Sequence, residues 1–176
     1  MRVIAGRFRS RRLKSVSGDA VRPTPDRLRE SLFSILTARI LGATFLDAYA
    51  GTGAVGIEAL SRGAQHVIFI ERSAAALAIL HANLRSLDIA TEVTVLRGSA
   101  AALISQHPTE IVFLDPPYDQ PREYAACLAA ARCELAIAQH SSRLALDERY
   151  GSLLRTRVLK QGDNSLSFYE RAAISM

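Results

Sequence analysis

From Thr44 onward the sequence alternates short apolar runs with stretches of helical periodicity, and this alternation restricts the fold more than any other feature. Parallel strands are joined by helical crossovers that cover both faces of a sheet, so the pattern indicates a doubly wound α/β fold. The predicted strands are residues 44–48, 67–70, 93–97, 111–114 and 144–146, and the predicted helices are residues 53–62 and 73–87, a helix around Ala101, and residues 122–133.

The two ends of the chain depart from this alternation. "LLRTRVLKQGDNSLSFYERA" has two strand-like runs joined by a Gly-Asp-Asn turn, which predicts an antiparallel hairpin. "MRVIAGRFRSRRLKSV" predicts a short basic hairpin, and "RPTPDRLRESLFSIL" predicts a docking helix with Thr24 as N-cap and Pro25 at its first position. We therefore expect one domain over residues 1–176: a seven-stranded, mostly parallel sheet with a C-terminal antiparallel hairpin, and residues 1–40 as an appendage.

Positive charge is concentrated at the N-terminal end. Residues 1–30 carry nine basic and three acidic side chains, so their net charge is 9 − 3 = +6, and the remaining chain carries 5 − 6 = −1. A basic end on a nearly neutral body favours contact with a nucleic-acid backbone, although the same charges could merely keep an exposed hairpin from aggregating. The predicted contacts of the hairpin are Arg7, Arg9, Arg11 and Arg12.

Other features of the composition restrict the class of protein. The longest apolar run is too short to span a bilayer and the N-terminus lacks an apolar signal core, so we expect a cytoplasmic protein with no membrane contact. Cys127 and Cys133 lie six apart on one predicted helix and are interpreted as buried thiols. The histidines are scattered, and we assign no metal.

A glycine-rich turn in "DAYAGTGAVGIEAL" predicts a ligand site. Gly51, Gly53 and Gly56 follow a predicted strand in the G-x-G-x-x-G spacing, and Glu71 stands 20 residues after Gly51, where a carboxylate can bind ribose hydroxyls. An ordinary tight turn is the structural alternative. The spacing allows NAD or S-adenosylmethionine (SAM), and Asp47 favours the cationic SAM, because a carboxylate beside a pyrophosphate is unfavourable; the alternative role of Asp47 is a cap.

A second motif, "DPPY", follows the fourth predicted strand. It places Asp115, Pro116, Pro117 and Tyr118 at the carboxyl end of that strand, where open α/β sheets bind ligands. The two prolines hold the turn rigid, so the Asp115 carboxylate and the Pro116 carbonyl can accept hydrogen bonds from both N–H groups of an exocyclic amine. Tyr118 offers a face on which a base can stack. A structural proline turn is the alternative, but the order of the two motifs favours transfer of a methyl group to a base amine.

These segments together resemble the RsmD family, the bacterial 16S rRNA guanine-N2 methyltransferases. The resemblance covers nearly the whole chain, through "RVIAGRFRSRRL", "RPTPDRLRESLFSIL", "LDAYAGTGAVGIEALSRGA", "DPPY" and "KQGDNSLSFYE". It implies methyl transfer from SAM to N2 of a guanine in 16S rRNA, within the small ribosomal subunit. DNA adenine-N6 or cytosine-N4 methylation and, from another class, an NAD-dependent oxidoreductase stay open as alternatives, and a monomer fits the chain length.

The resemblance also implies roles for individual residues. The implied cofactor contacts are Asp47, Ala48, Gly51, Gly53, Glu71, Arg72, Ser99 and Ala100, and the implied target-amine contacts are Asp115, Pro116, Pro117 and Tyr118. Arg22, Thr24 and Arg27 match a segment near the family's site and have either an RNA or loop-ordering role or a helix-capping one. Ser99 stands where many relatives have an acidic residue that binds adenine, so the adenine contact departs from the family pattern.

Overall fold

The fold is organised by a mixed sheet in a computed structural model that describes residues 1–15, 26–117 and 120–172. Eight strands are found in these residues: β1 (Thr44–Asp47), β2 (His66–Glu71), β3 (Val93–Arg97), β4 (Ile111–Leu114), β5 (Leu135–Ser141), β6 (Arg149–Tyr150), β7 (Leu153–Gln161) and β8 (Asn164–Arg171). The helices there are α1 (Asp26–Ile35), α2 (Thr37–Ile40), α3 (Ala54–Ser61), α4 (Ala74–Ser86), α5 (Ala100–Leu103) and α6 (Pro121–Ala130).

The strand order places a topological switch point at the centre of the sheet. The order is β3-β2-β1-β4-β5-β8-β7-β6, with β1 to β5 parallel and β8 and β7 antiparallel to their neighbours. The chain moves outward from β1 to β3 and then begins again at β4 on the other side of β1. A crevice therefore opens between the carboxyl ends of β1 and β4. The predicted α/β class, the parallel sheet and the C-terminal hairpin are confirmed.

Three details of the predicted fold are wrong. The fifth strand is Leu135–Ser141 rather than residues 144–146, because the buried run "LAIAQHS" pairs with both β4 and β8. Within the described chain the sheet has eight strands rather than seven, since the two-residue β6 pairs with β7. Helix α6 ends at Ala130, so Cys133 lies beyond it, although both cysteines are buried free thiols.

The two faces of the sheet carry separate apolar cores. On one face, which we call the α1 face, Phe113 of β4 and Phe168 of β8 pack against α1, α3 and α4. On the other, the α6 face, Leu114 of β4 packs against α5 and α6. Alternate residues of each strand enter alternate cores, as the pleat of a strand requires. No helix in the described segments is long and apolar enough to cross a bilayer.

The N-terminal segment folds back on itself and docks on α3. The predicted hairpin is reduced to a single antiparallel bridge between Arg2 and Arg12. Glu58 of α3 is fully buried and accepts hydrogen bonds from the backbone amides of Ile4 (2.8 Å) and Ala5 (3.0 Å). A buried carboxylate is costly unless hydrogen bonds and opposite charge compensate it. These bonds therefore attach the segment firmly to the body.

A buried arginine completes this attachment. The Arg29 side chain has no exposed surface; it donates to the Arg2 carbonyl at 2.6 Å and to Asp26 at 3.0 Å, and its Nε lies 3.9 Å from the Glu58 carboxylate. Burial lowers the pKa of Arg29, and the carboxylates of Glu58 and Asp26 oppose this shift. Arg29 thus joins α1, α3 and the N-terminal segment. The capping prediction for Thr24 and Pro25 lies outside the described residues.

Close contact at Gly6 gives a stability test of this docking. Gly6 has φ +81, and a Cβ atom there would overlap the Ser61 carbonyl oxygen of α3. Gly42 has a similar φ of +75, but a Cβ atom there would meet nothing within 4 Å. We expect Gly42→Ala to lower the free energy of unfolding by about 1 kcal/mol through backbone strain. Gly6→Ala should cost about 1–3 kcal/mol more, because a backbone contact must also open.

Denaturant unfolding of the two variants beside the wild type measures this difference. Equal losses for Gly6→Ala and Gly42→Ala would contradict tight docking of the N-terminal segment on α3.

Candidate active site

The switch point brings the two predicted motifs to one edge of the sheet. Asp47, the last residue of β1, is in register with Phe113 of β4, and the Ala48 amide donates to the Phe113 carbonyl at 3.0 Å. Asp115 follows β4 directly. The glycine turn and the Asp-Pro-Pro turn therefore leave adjacent strands at the same end.

The glycine turn has one residue that faces open space and one that faces the core. Gly51 and Gly53 both have positive φ, at +54 and +86. A Cβ atom on Gly51 would meet nothing within 4 Å, whereas one on Gly53 would overlap the Leu80 side chain of α4. Gly51 is therefore open to a ligand. At Gly53 both the positive φ and the close contact with Leu80 favour glycine, and its cofactor contact stays a prediction.

Glu71 joins the glycine turn to the end of β2. Its carboxylate accepts hydrogen bonds from the Gly51 amide at 2.8 Å and from the Ser73 amide at 2.7 Å. Gly51 and Glu71, which are 20 residues apart in the sequence, are thus joined by a direct hydrogen bond. Arg72, the next residue, is exposed. A carboxylate held beside an open glycine is suited to accept the two hydroxyls of a ribose.

Asp47 stabilises the end of the glycine turn through a hydrogen bond to the start of α3. Its side chain is only 2% exposed, and its Oδ2 accepts a hydrogen bond from the Gly56 amide in the first turn of α3 at 3.0 Å. Burial raises the pKa of Asp47 from 3.8 to about 7, with a smaller contribution from the nearby negative charge of Glu71. The capping role considered for Asp47 is therefore observed in the structure, and the carboxylate lies close to the predicted cofactor turn. Ala48, beside it, is also buried.

The end of β3 reaches the same edge. The Gly98 amide donates to the Glu71 carbonyl at 3.1 Å, which places the following residues, Ser99 and Ala100, beside the end of β2. The Ser99 carbonyl accepts from the Leu103 amide at 3.2 Å at the start of α5, and Ala100 is buried. The end of β3 therefore lies beside the end of β2, which carries Glu71.

Asp115 is held in place by a residue that sequence reasoning missed. The Gln139 side-chain amide of β5 donates to Asp115 Oδ2 at 3.1 Å. Gln139 is only 2% exposed, and its backbone carbonyl accepts from the Tyr124 hydroxyl at 2.8 Å. Its sequence signal is a lone amide inside the apolar run "LAIAQHS", but the fifth strand was predicted elsewhere. The structure therefore adds Gln139 as a positioning residue.

The remaining described residues of the second motif are its two prolines. Pro116 is buried and Pro117 is exposed, and the Pro117 carbonyl accepts from the Gln120 amide at 3.0 Å. Tyr118 lies outside the described residues. The acceptor role of this turn stays a prediction.

A second missed residue, Asn83 of α4, links the glycine turn to the N-terminal segment. It is buried, its side-chain amide donates to the carbonyls of Thr52 (2.9 Å) and Lys14 (3.1 Å), and its oxygen accepts from the Lys14 amide at 2.8 Å. Lys14 lies just before residues 16–25, which are not described. Asn83 therefore joins Lys14, in the chain that leads toward the "RPTPDR" segment, to the glycine turn at Thr52.

The predicted RNA-contact arginines fall into two groups. Arg7 forms an ion pair with Glu92 at 2.7 Å, and Arg11 donates to the Ser86 carbonyl at 2.7 Å, so both also attach the N-terminal segment to the body. Arg9, Arg12 and Arg27 are exposed. Arg22 and Thr24 lie outside the described residues. Among the described residues no group of three His, Cys, Asp or Glu side chains could hold a metal ion.

The strand order and the glycine turn at the switch point are those of class I SAM-dependent methyltransferases. The model of the family described as "Conserved hypothetical protein 95" matches residues 1–170. The chain therefore belongs to this family, the RsmD family of methyltransferases.

Individual relatives agree with this assignment. The YlbH protein of Bacillus subtilis strain 168 is 34% identical over 182 residues, which cover 97% of this chain and 99% of that protein. Ribosomal RNA small subunit methyltransferase D of Escherichia coli K12 is 41% identical over 120 residues, which cover 67% of this chain and 60% of that protein. The solved structure of yhhF from Escherichia coli superposes with a TM-score of 0.84 at 32% identity and covers 98% of both chains. The similarity therefore extends to the entire fold.

Replacement of Gln139 tests its positioning role. We expect Gln139→Leu to lower kcat between about 10- and 100-fold, because the Asp115 carboxylate loses the donor that orients it. Affinity for S-adenosylhomocysteine should stay unchanged, since Gln139 lies on β5, two strands from β1, which leads into the glycine turn. Methylation kinetics and isothermal calorimetry make the comparison, with the exposed Gln106→Leu as control. A parallel loss of melting temperature and cofactor affinity, with kcat unchanged, would show that Gln139 is only structural.

The buried carboxyl of Asp47 predicts a pH-dependent stability. Between about pH 4 and about pH 7 the folded protein keeps a proton on Asp47 that the unfolded chain has lost, so the free energy of unfolding falls as pH rises across this interval and levels off above it. Asp47→Asn removes this contribution and keeps an oxygen for the Gly56 amide. Denaturant unfolding across this range should show a wild-type stability that decreases relative to the variant. A difference that does not change with pH would contradict the raised pKa.

Proposed function

We propose that this protein transfers a methyl group from SAM to the exocyclic N2 amine of a guanine in 16S rRNA. The observation that carries the proposal is the meeting of the Gly51–Glu71 pair and the Asp115–Pro116 turn at one sheet edge. The first can hold an adenosine-containing cofactor and the second can hold an amine. A methyl donor and an acceptor nitrogen would thus be brought together in one crevice.

The cofactor end of the crevice fits SAM. Glu71 would accept the ribose hydroxyls, the open backbone at Gly51 would allow close approach, and the carboxyl of Asp47 lies near a ligand that carries positive charge. SAM supplies, when bound, an electrophilic methyl group on a sulfonium. Ser99 and Ala100 stand where the adenine is expected. Membership of a methyltransferase family favours SAM over the NAD alternative.

The target end of the crevice suits an exocyclic amine. Such a nitrogen is a poor nucleophile, because its lone pair is delocalised into the ring. The Asp115 carboxylate and the Pro116 carbonyl would accept hydrogen bonds from the two N–H groups of the amine. These bonds would direct the nitrogen lone pair toward the methyl donor. The Asp115 carboxylate also stabilises the positive charge that develops on nitrogen, and Gln139 keeps that carboxylate in orientation. Tyr118 would stack on a base turned out of its helix.

The choice of substrate rests on the family and on charge. A relative that is 41% identical is named ribosomal RNA small subunit methyltransferase D, which supports rRNA as the substrate class. The basic N-terminal segment, which carries the exposed Arg9 and Arg12, supports contact with a phosphate backbone. The guanine N2 target comes from the resemblance of the motifs. We infer that the protein acts as a monomer on the small ribosomal subunit and therefore works in the cytoplasm.

A single substitution tests the proposed chemistry. We expect Asp115→Asn to lower methyl transfer at least about 100-fold, because a neutral amide neither accepts the amine as strongly nor stabilises positive charge on nitrogen. Its affinity for S-adenosylhomocysteine should stay near the wild-type value. The measurement is nucleoside mass spectrometry of small-subunit RNA after incubation with each protein, and the expected wild-type product is N2-methylguanosine.

Other products would contradict particular parts of the proposal. Formation of N6-methyladenosine or N4-methylcytosine in DNA would contradict the proposed substrate but not methyl transfer to an exocyclic amine. A melting temperature raised by NAD but not by S-adenosylhomocysteine would overturn the methyltransferase assignment. Full activity of the Asp115→Asn variant would show that the Asp115 carboxylate does not take part in methyl transfer.

A further inference from the structure

A groove lies between α1 and β7, outside the crevice described above. Its volume is about 400 Å³, and Arg27, Glu30 and Ser34 of α1 face Arg157 and Leu159 of β7 across it. Arg27 and Arg157 are exposed and form no ion pair within the described residues. We call this feature the α1–β7 groove.

An irregularity in β7 directs Arg157 into this groove. Arg155 is opposite Tyr169 of β8, but Arg157 is opposite Phe168, so Thr156 is an extra residue in the ladder. A bulge of this kind exchanges the faces to which the following side chains point. Leu153, before the bulge, accordingly packs in the core of the α6 face, and Leu159, after it, packs against the core of the α1 face. With a regular strand, Arg157 would have pointed away from α1.

The strand register places the groove close to Asp115. Leu159 pairs with Leu166 of β8, and Leu166 pairs with Gln139 of β5, the residue that holds Asp115. Because β7 is three strands from β4, this row spans about 14 Å at the usual strand spacing. Arg157 lies two residues before Leu159, on the same face. The groove is therefore within the reach of nucleotides that flank a base held at Asp115.

Positive side chains also line the other side of α1. A second cavity, of about 570 Å³, shares Glu30 and Ser34 with the α1–β7 groove and is lined by Arg2 and Arg9 of the N-terminal segment. Of its two acidic residues, Asp26 and Glu30, the first forms an ion pair with Arg29. The exposed ridge of α1 thus has arginines on both sides, and Glu30 is the acidic side chain between them. This excess of positive charge is complementary to a polyanion.

We propose that the α1–β7 groove binds the sugar-phosphate backbone of the RNA next to the target nucleotide, and that Arg157 contacts a phosphate. The RNA path then extends from the N-terminal segment across α1 to the C-terminal hairpin, far beyond the basic end recognised in the sequence. This inference rests on the proposed function, because it takes RNA as the substrate.

Charge reversal at Arg157 tests the groove. The assay measures binding of the full-length protein to purified small ribosomal subunits over a range of salt concentrations. We expect Arg157→Glu to weaken binding several-fold and to reduce the slope of log K against log[salt] by about 1. Arg157→Gln should give a smaller loss of affinity. The matched control is Arg132→Glu, an equal charge change at an exposed arginine. Arg132 lies just before β5, at the amino ends of the parallel strands and thus at the opposite end from the crevice. This variant should leave affinity and slope unchanged.

The outcomes separate this inference from the function on which it rests. Wild-type protein that forms no N2-methylguanosine in these subunits overturns the proposed function. If the wild type is active and Arg157→Glu has the same affinity and slope as Arg132→Glu, the groove is not part of the RNA path. Equal melting temperatures and equal S-adenosylhomocysteine affinities in all variants are expected, because Arg157 is exposed; an affinity loss seen only with a lowered melting temperature in both Arg157 variants would also overturn the proposal.

Discussion

Parallel pairing of β1 with β4 is the constraint on which the site depends. The two strands are distant in sequence, and the register of Asp47 with Phe113 brings the chain after each of them to one crevice. A shift of that register by one residue would reverse which face each side chain meets. Asp115 would then no longer lie level with the chain that leaves β1 after Asp47. Cofactor turn and target turn are therefore positioned by the same backbone hydrogen bonds.

Buried polar groups connect this crevice to the proposed RNA surface. Glu58 and Arg29 attach the N-terminal segment and α1 to α3, and Asn83 attaches the end of that segment to the glycine turn. Each of these groups is costly to bury alone, so each is stable only while its partners stay in place. The N-terminal segment, which carries basic side chains, is thus attached both to α3 and to the glycine turn.

The features that sequence predicts best are those set by local chemistry. The strand-turn-helix order around Gly51 and the distance to Glu71 are local patterns, and both agree with the structure. Gln139 was missed because its role depends on the partner strand of β5, and a lone amide in an apolar run carries no sign of its partner. The bulge at Thr156 was equally invisible, since it arises from pairing with β8. Similarly, the close contact of Gly53 with Leu80 depends on how α4 packs.

A crystal structure with bound S-adenosylhomocysteine tests the central claim most directly. The account predicts both ribose hydroxyls on the Glu71 carboxylate and the Asp115 carboxylate turned toward the cofactor sulfur, with space between them for a planar base. An Asp115 side chain directed away from the sulfur, or a cofactor bound at some other edge of the sheet, would contradict it.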